Sequence, residues 1–180
     1  MKKSSLIAIG LSIGLFNVSA QAGEVDLGLS EHMFSVNLSN NLSKHANVDL
    51  GYAYNEEKGH VIAFAAHMTH QNGPHQFAVG PKFIRLWGDE SPNGSVVAVG
   101  GEYSLYVNNN LSVHASSYYA PSVLTFAKMD GYFEYEAKAQ YNLNSNMGLY
   151  AGYRHQEFRF ESASKLNFAD GFYIGGTLKF

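Results

Sequence analysis

Apolar and polar side chains alternate one by one along most of this chain after residue 22. The clearest example is residues 132–143, in which Phe133 and Tyr135 alternate with Glu134 and Glu136. A spacing of two puts successive side chains on opposite faces of an extended backbone. The stretch therefore predicts a β-strand with one apolar face and one charged face.

Ten segments of this kind follow one another, and the chain after residue 22 shows no convincing period of 3.6. Their apolar positions are Val25, Leu27, Leu29; Phe34, Val36, Leu38; Val48, Leu50, Tyr52, Tyr54; Ile62, Phe64, Ala66, Met68; Phe77, Val79, Pro81, Phe83; Val97, Val99, Gly101, Tyr103, Leu105, Val107; Leu111, Val113, Ala115, Ser117, Tyr119; Phe133 to Leu143 at alternate positions; Met147, Leu149, Ala151, Tyr153; and Phe172, Ile174, Gly176, Leu178, Phe180. Tight turns rich in Asn and Gly alternate with loops that are, on average, longer and more charged. This alternation is typical of outer-membrane barrels.

The sequence predicts an all-β fold, a transmembrane antiparallel up-and-down β-barrel with ten strands. Both ends of the chain then lie on the periplasmic side, which requires an even number of strands. The alternative is eight strands, which holds if residues 23–40 do not form a hairpin.

The contents of the two faces indicate which one contacts lipid. The apolar face carries no charge through the middle of the segments, whereas the opposite face carries charges together with many Gly and Tyr residues. Glycines leave room inside a narrow barrel and tyrosines fill it. We therefore expect a charge network in the lumen, made of Asp26, Asp49, Lys82, Glu102, Glu134, Glu136, Lys138 and Arg154. The turn after residue 142 sets either Glu134 or, after a slip of two, Glu136 opposite Arg154.

Aromatic residues near the ends of the strands predict two girdles. We expect Trp87, Tyr54, Tyr119 and Phe133 in the outer girdle, and Phe34, Phe77, Tyr141 and Phe180 in the inner one. Arg85 lies in the outward register, so we expect it beyond the bilayer core near Trp87, or past a bulge.

The N-terminus has the layout of a secretory signal peptide: Lys2 and Lys3, an apolar run from Leu6 to Phe16, and small residues up to Ala22. That run is too short for a transmembrane helix. We expect a signal peptide at residues 1–22 and one barrel domain at 23–180. The chain has no Cys and a formal net charge of −3, so neither a disulfide scaffold nor a nucleic-acid partner is expected.

The end of the chain, GFYIGGTLKF, resembles the C-terminal strand that the bacterial barrel-assembly machinery recognises. In it Phe172, Ile174, Leu178 and Phe180 would form the assembly signal. This ending, SSYYAPSVL and LYAGYRHQEFRF together resemble the YfaZ family of Gram-negative outer-membrane proteins, most closely from about Val97 to Phe180. The resemblance implies a porin-like barrel of the cell envelope and carries over no catalytic motif.

Three groups of side chains are candidates for a metal site, a catalytic site or a pore. His67, His70 and His75 flank one turn. In a regular strand His67 and His70 point to opposite faces, so solvated turn histidines are expected and no metal site. The turn around Asn109 brings Glu102, His114 and Ser116 to one inward face, where an internal hydrogen-bond network is favoured over a catalytic trio. The lumen charges either line a narrow cation-preferring pore or help to fill the lumen as a plug. The plug is favoured because so narrow a barrel is filled by its own side chains.

The resulting hypothesis is a small monomeric outer-membrane barrel, exported by its signal peptide, with a structural role or a narrow side-chain-filled pore for small solutes or ions. Its expected partners are outer-membrane lipid and the assembly machinery, and no cofactor is expected. One alternative is a lipid hydrolase. Another is an adhesion module that binds through residues 120–130 and 159–170, where Phe126, Phe160 and Phe168 would contact a partner.

Overall fold

The computed structural model describes residues 23–89, 91–161 and 164–180, so the predicted signal peptide lies outside the described residues. The strands are β1 Gly23–Leu29, β2 Met33–Ser43, β3 Ala46–Asn55, β4 Gly59–Asn72, β5 His75–Trp87, β6 Gly94–Tyr106, β7 Leu111–Ala120, β8 Thr125–Phe126, β9 Met129–Asn142, β10 Met147–Phe160 and β11 Leu166–Lys179. One short 3₁₀ turn, Ser122–Leu124, precedes β8. No helix in these three ranges is long and apolar enough to cross a membrane.

Ten of these strands close into an antiparallel barrel within the described part of the chain. Each long strand pairs with the next, and β1 pairs with β11 to complete the ring. The two-residue β8 pairs only with the start of β6 and lies outside the ring. β1 and β2 form a hairpin that runs in register from Gly23 opposite Asn40 to Leu29 opposite Phe34. The ten-strand prediction is therefore confirmed over the eight-strand alternative.

The two ends of the barrel differ. At one end, here called the turn end, four tight connections lie beside both chain termini, and Gly23 and Phe180 exchange backbone hydrogen bonds of 2.9 and 3.0 Å. Gly73 has a φ of +59° in one of these turns, a conformation that glycine adopts without steric cost. The other end, the loop end, holds the connections that follow β1, β3, β5, β7 and β10.

The outward face carries the predicted apolar sets. Phe172 is 82% exposed, and Met68, Ile174 and Val79 are also largely exposed. Such a continuous apolar surface is typical of a face that contacts lipid. One girdle assignment is wrong: Phe34 pairs directly with Tyr54. Because β2 begins at the loop end, Phe34 belongs to the outer girdle with Tyr54 and not to the inner one.

Arg85 follows its predicted outward register. Its neighbours Ile84 and Leu86 are fully buried inside the barrel, while its guanidinium lies 5.4 Å from the centroid of the Trp87 ring and donates to the Ser95 hydroxyl at 2.9 Å. The stacking and the hydrogen bond keep the charge beside the outer girdle. The position near Trp87 therefore agrees with the sequence prediction.

The lumen at the loop end is filled with apolar side chains. We call this cluster the apolar plug; its most buried members are Ile84, Leu86, Val96, Tyr132, Phe158 and Phe168. These residues come from the loop-end halves of β5, β6, β9, β10 and β11, whose inward positions change from polar to apolar near that end. Phe160 and Phe168 are 7% and 0% exposed, so the prediction that they contact an outside partner is wrong, whereas Phe126 is exposed.

A candidate functional site in the barrel lumen

The turn-end half of the lumen holds a cavity of about 450 Å³. Its wall runs from residues at the turn-end rim, such as Glu24, Asn41 and Lys179, to Gln156 and to Val61, which belongs to the apolar plug. Hydroxyl, amide and charged groups line most of it. The cavity is the place where the predicted lumen charges come together.

Four cations of the described lining each lie within 4 Å of a carboxylate. Lys82 Nζ lies 2.8 Å from Glu134, Lys138 Nζ lies 3.2 Å from Asp26, Arg154 pairs with Glu136, and Lys179 Nζ lies 3.7 Å from Glu24 at the rim. The first three pairs are largely shielded from solvent, with side chains at most 17% exposed. A shielded pair of this kind requires further hydrogen bonds to satisfy its remaining polar atoms.

Those further hydrogen bonds come from hydroxyl groups. Tyr132 donates to Glu134, Tyr173 donates to Glu136 at 2.6 Å, and Thr177 donates to Asp26. Each of the three shielded cations also lies over a tyrosine ring, at 4.6 to 5.0 Å from the ring centroid; the pairs are Lys82 with Tyr118, Lys138 with Tyr150 and Arg154 with Tyr173. Inward tyrosines thus contact the cation of all three pairs and the carboxylate of two of them.

The register of β9 and β10 decides the partner of Arg154. Arg154 lies opposite Glu136, and Leu149 opposite Tyr141. Of the two registers that the sequence allowed, the slipped one is therefore correct. Glu134 instead reaches across the lumen to Lys82 on β5, a strand that is not a neighbour of β9. Sequence reasoning missed this contact because the cross-lumen distance follows only from closure of the barrel.

A second group of side chains links β3, β4, β6 and β7. His67 Nδ1 lies 3.0 Å from Asp49 Oδ2 and 3.2 Å from Asn47 Oδ1, and Nε2 lies 2.7 Å from the Tyr118 hydroxyl. Tyr118 in turn donates to Glu102 at 2.9 Å. His67 is 3% exposed, so the expectation of a solvated turn histidine is wrong for it. His70 and His75 are exposed and do not join this group.

Glu102, His114 and Ser116, weighed above as a catalytic trio, have the predicted strand register but do not make the contacts of a catalytic trio. Glu102 lies opposite Ser116, and Ser104 opposite His114. His114, however, uses Nδ1 for the Ser104 hydroxyl and Nε2 for the Ser112 hydroxyl, both at 2.8 Å. Glu102 contacts Tyr118 instead of the histidine.

The residues of the predicted assembly signal all lie on the outward face of β11 or at its end. Phe172, Ile174, Leu178 and Phe180 are between 46% and 82% exposed. The opposite face of the same strand packs into the lumen. There Gly175 leaves space for the Tyr150 ring, and a Cβ at this position would collide with that ring and with the Leu27 carbonyl.

A closed ten-stranded ring, an apolar outer face with aromatic girdles and a charged lumen define a β-barrel of the outer-membrane class. Solved structures of that class are similar to the chain. The outer membrane channel DcaP of Acinetobacter baumannii has a TM-score of 0.50 at 7% identity, covering 86% of this chain and 54% of DcaP. The NanC porin has a TM-score of 0.50 at 11% identity, covering 88% of this chain and 98% of NanC. These likenesses concern the fold, and they fit an outer-membrane location.

The chain belongs to the YfaZ precursor family, whose sequence model matches residues 1–180. This confirms the resemblance found in the sequence. The chain spans about half the length of DcaP. A comparison with curated protein sequences finds no match.

Proposed function

We propose that this protein is a closed outer-membrane barrel with a mainly structural role, sealed on its extracellular side and holding a polar cavity on its periplasmic side. The observation that carries the proposal is the apolar plug. Ile84, Leu86, Val96 and Phe158 are all fully buried and meet across the loop-end lumen. An ion that crossed this layer would lose its hydration without gaining a polar partner.

The ion pairs below the plug also support a closed barrel. Lys82 and Glu134 join strands on different sides of the lumen, and they do so with hydrogen bonds of 2.8 and 2.9 Å. Separating them to let a solute pass would leave two unpaired charges in a shielded place, which is costly. The ion pair therefore opposes passage of a solute through the barrel.

The orientation follows from the class rule that short turns are periplasmic. The turn end, with Gly23 and Phe180, is then periplasmic, and the cavity faces the periplasm. The proposal also includes export by the signal peptide, recognition of β11 by the assembly machinery, a monomeric state, and contact with outer-membrane lipid through the exposed apolar face. It includes no catalysis, because both nitrogens of His114 are bound to serine hydroxyls inside the lumen, away from lipid.

Planar-bilayer recording of the refolded protein tests the proposal. The wild-type protein should give no steady current. The double variant Phe158→Ala with Phe168→Ala, which removes two fully buried plug rings, should give a current that prefers cations because carboxylates outnumber Lys and Arg in the described lining.

The matched control is Phe172→Ala, which removes a ring of the same kind from the lipid face and should remain silent. Heat-modifiable migration in detergent checks that each variant is folded. A steady wild-type current would refute the closed barrel, and a silent but folded double variant would refute the plug as its seal.

A further inference from the structure

The ionic charges of the cavity do not cancel. Six carboxylates and four Lys or Arg side chains occur in the described lining, and four ion pairs join all four cations to Glu24, Asp26, Glu134 and Glu136. Asp49 and Glu102 remain, and neither has a Lys or Arg within 4 Å in the part of the chain that the structure describes. The excess negative charge of the lumen is therefore concentrated at these two carboxylates.

Both carboxylates converge on one imidazole. One ligand atom each from Asp49, His67 and Glu102 can be chosen so that all three lie within 4.8 Å of one another. Zinc holds nitrogen and oxygen ligands at about 2.0–2.2 Å, which places neighbouring ligand atoms roughly 3.3 Å apart. The three side chains need only contract by about 1 Å toward a common centre to reach that spacing.

We propose that Asp49, His67 and Glu102 form a binding site for a divalent transition-metal cation, with solvent completing the coordination. Imidazole selects metals such as Zn²⁺ over Mg²⁺ and Ca²⁺, which prefer ligand sets made of oxygen alone. The two carboxylates neutralise the charge of the ion. The cation would enter from the turn end, because Asp49 and Glu102 themselves line the cavity.

The hydrogen bonds around His67 indicate which nitrogen binds. Nδ1 faces two acceptors, Asp49 Oδ2 at 3.0 Å and Asn47 Oδ1 at 3.2 Å, so it carries a proton in the metal-free protein. Metal binding at Nδ1 therefore requires the other neutral tautomer, in which the proton lies on Nε2. Nε2 then donates to the Tyr118 hydroxyl, which donates to Glu102; metal-bound histidines commonly hold their second nitrogen in this way.

Isothermal titration of the refolded full-length barrel in detergent with zinc chloride is the test. It should show one saturable site whose affinity falls as the pH is lowered, because protons compete with the metal for its ligands. His67→Gln should weaken binding at least about 10-fold, and Glu102→Gln should weaken it in the same direction.

The matched control is His114→Gln, which alters a histidine that lines the cavity and whose two ring nitrogens contact serine hydroxyls. It should leave zinc affinity unchanged. Absence of saturable binding, binding unaffected by His67→Gln, or an equal loss in His114→Gln would each overturn the site. Heat-modifiable migration in detergent checks that these variants are folded. The proposal does not depend on the closed barrel, since titration and bilayer recording can fail separately.

Discussion

Glu136 is the carboxylate that should stabilise Arg154, and Glu134 should not. Glu136→Gln keeps the size of the side chain and its ability to accept a hydrogen bond from Tyr173, but it removes the charge. Arg154 is then left as an uncompensated cation beneath the apolar plug. The variant should therefore lower the free energy of unfolding.

The magnitude follows from how far the pair is shielded. The Arg154 and Glu136 side chains are 14% and 15% exposed. Exposed pairs contribute less than about 1 kcal/mol, whereas removing one partner of a buried pair costs about 3–5 kcal/mol. Because the cavity admits water, we expect the lower end, about 3 kcal/mol, and an interaction energy of about 2 kcal/mol between the two residues.

The assay is a double-mutant cycle on the barrel refolded into lipid vesicles. The free energy of unfolding in urea is measured for Glu136→Gln, Arg154→Gln and the double variant. A parallel cycle uses Glu134→Gln with Arg154→Gln as the matched control, since Glu134 pairs with Lys82. That second cycle should give a clearly smaller interaction energy than the first.

Two results would refute this reasoning. An interaction energy below about 0.5 kcal/mol for Glu136 and Arg154 would mean that the pair is solvated or not formed. A larger coupling of Arg154 to Glu134 than to Glu136 would mean that β9 and β10 pair in the other register.

Three further predictions concern other parts of the barrel. Gly175→Ala should lower the free energy of unfolding in urea by about 1–3 kcal/mol, because its Cβ would collide with a tyrosine ring and the backbone of β1. The control is Gly176→Ala, whose Cβ would have its nearest neighbour at 3.5 Å and which should be close to neutral. The hydrogen bond of 2.6 Å to Glu56, which joins the first two loops of the loop end, raises the pKa of His32. Because the folded pKa is raised, this contact should stabilise the loops below the ordinary histidine pKa and be lost as the pH rises through the raised value. Glu56→Gln should return the NMR titration of His32 toward the ordinary range. Phe180→Ala should reduce the heat-modifiable fraction recovered from outer membranes while leaving refolding in detergent nearly unchanged, and an equal loss in both would contradict an assembly signal.

Much of the architecture was determined by the sequence alone. The period of two in residues such as Phe133, Glu134, Tyr135 and Glu136 sets which side chains share a face, because successive residues of a strand point in opposite directions. Ten such segments and an even strand count were enough to predict the closed ring. Likewise, the absence of charge through the middle of one face was enough to predict the lipid side.

The tertiary structure decided what lies across the lumen. Lys82 meets Glu134, and His67 meets Asp49 and Glu102, only because closure of the ring brings distant strands together. No local spacing encodes that distance. The register between β9 and β10, and with it the choice of Glu136 for Arg154, depends on turn geometry and side-chain packing along the whole hairpin. The sequence thus fixes the faces of each strand, whereas the partners inside the barrel depend on its closure and stagger.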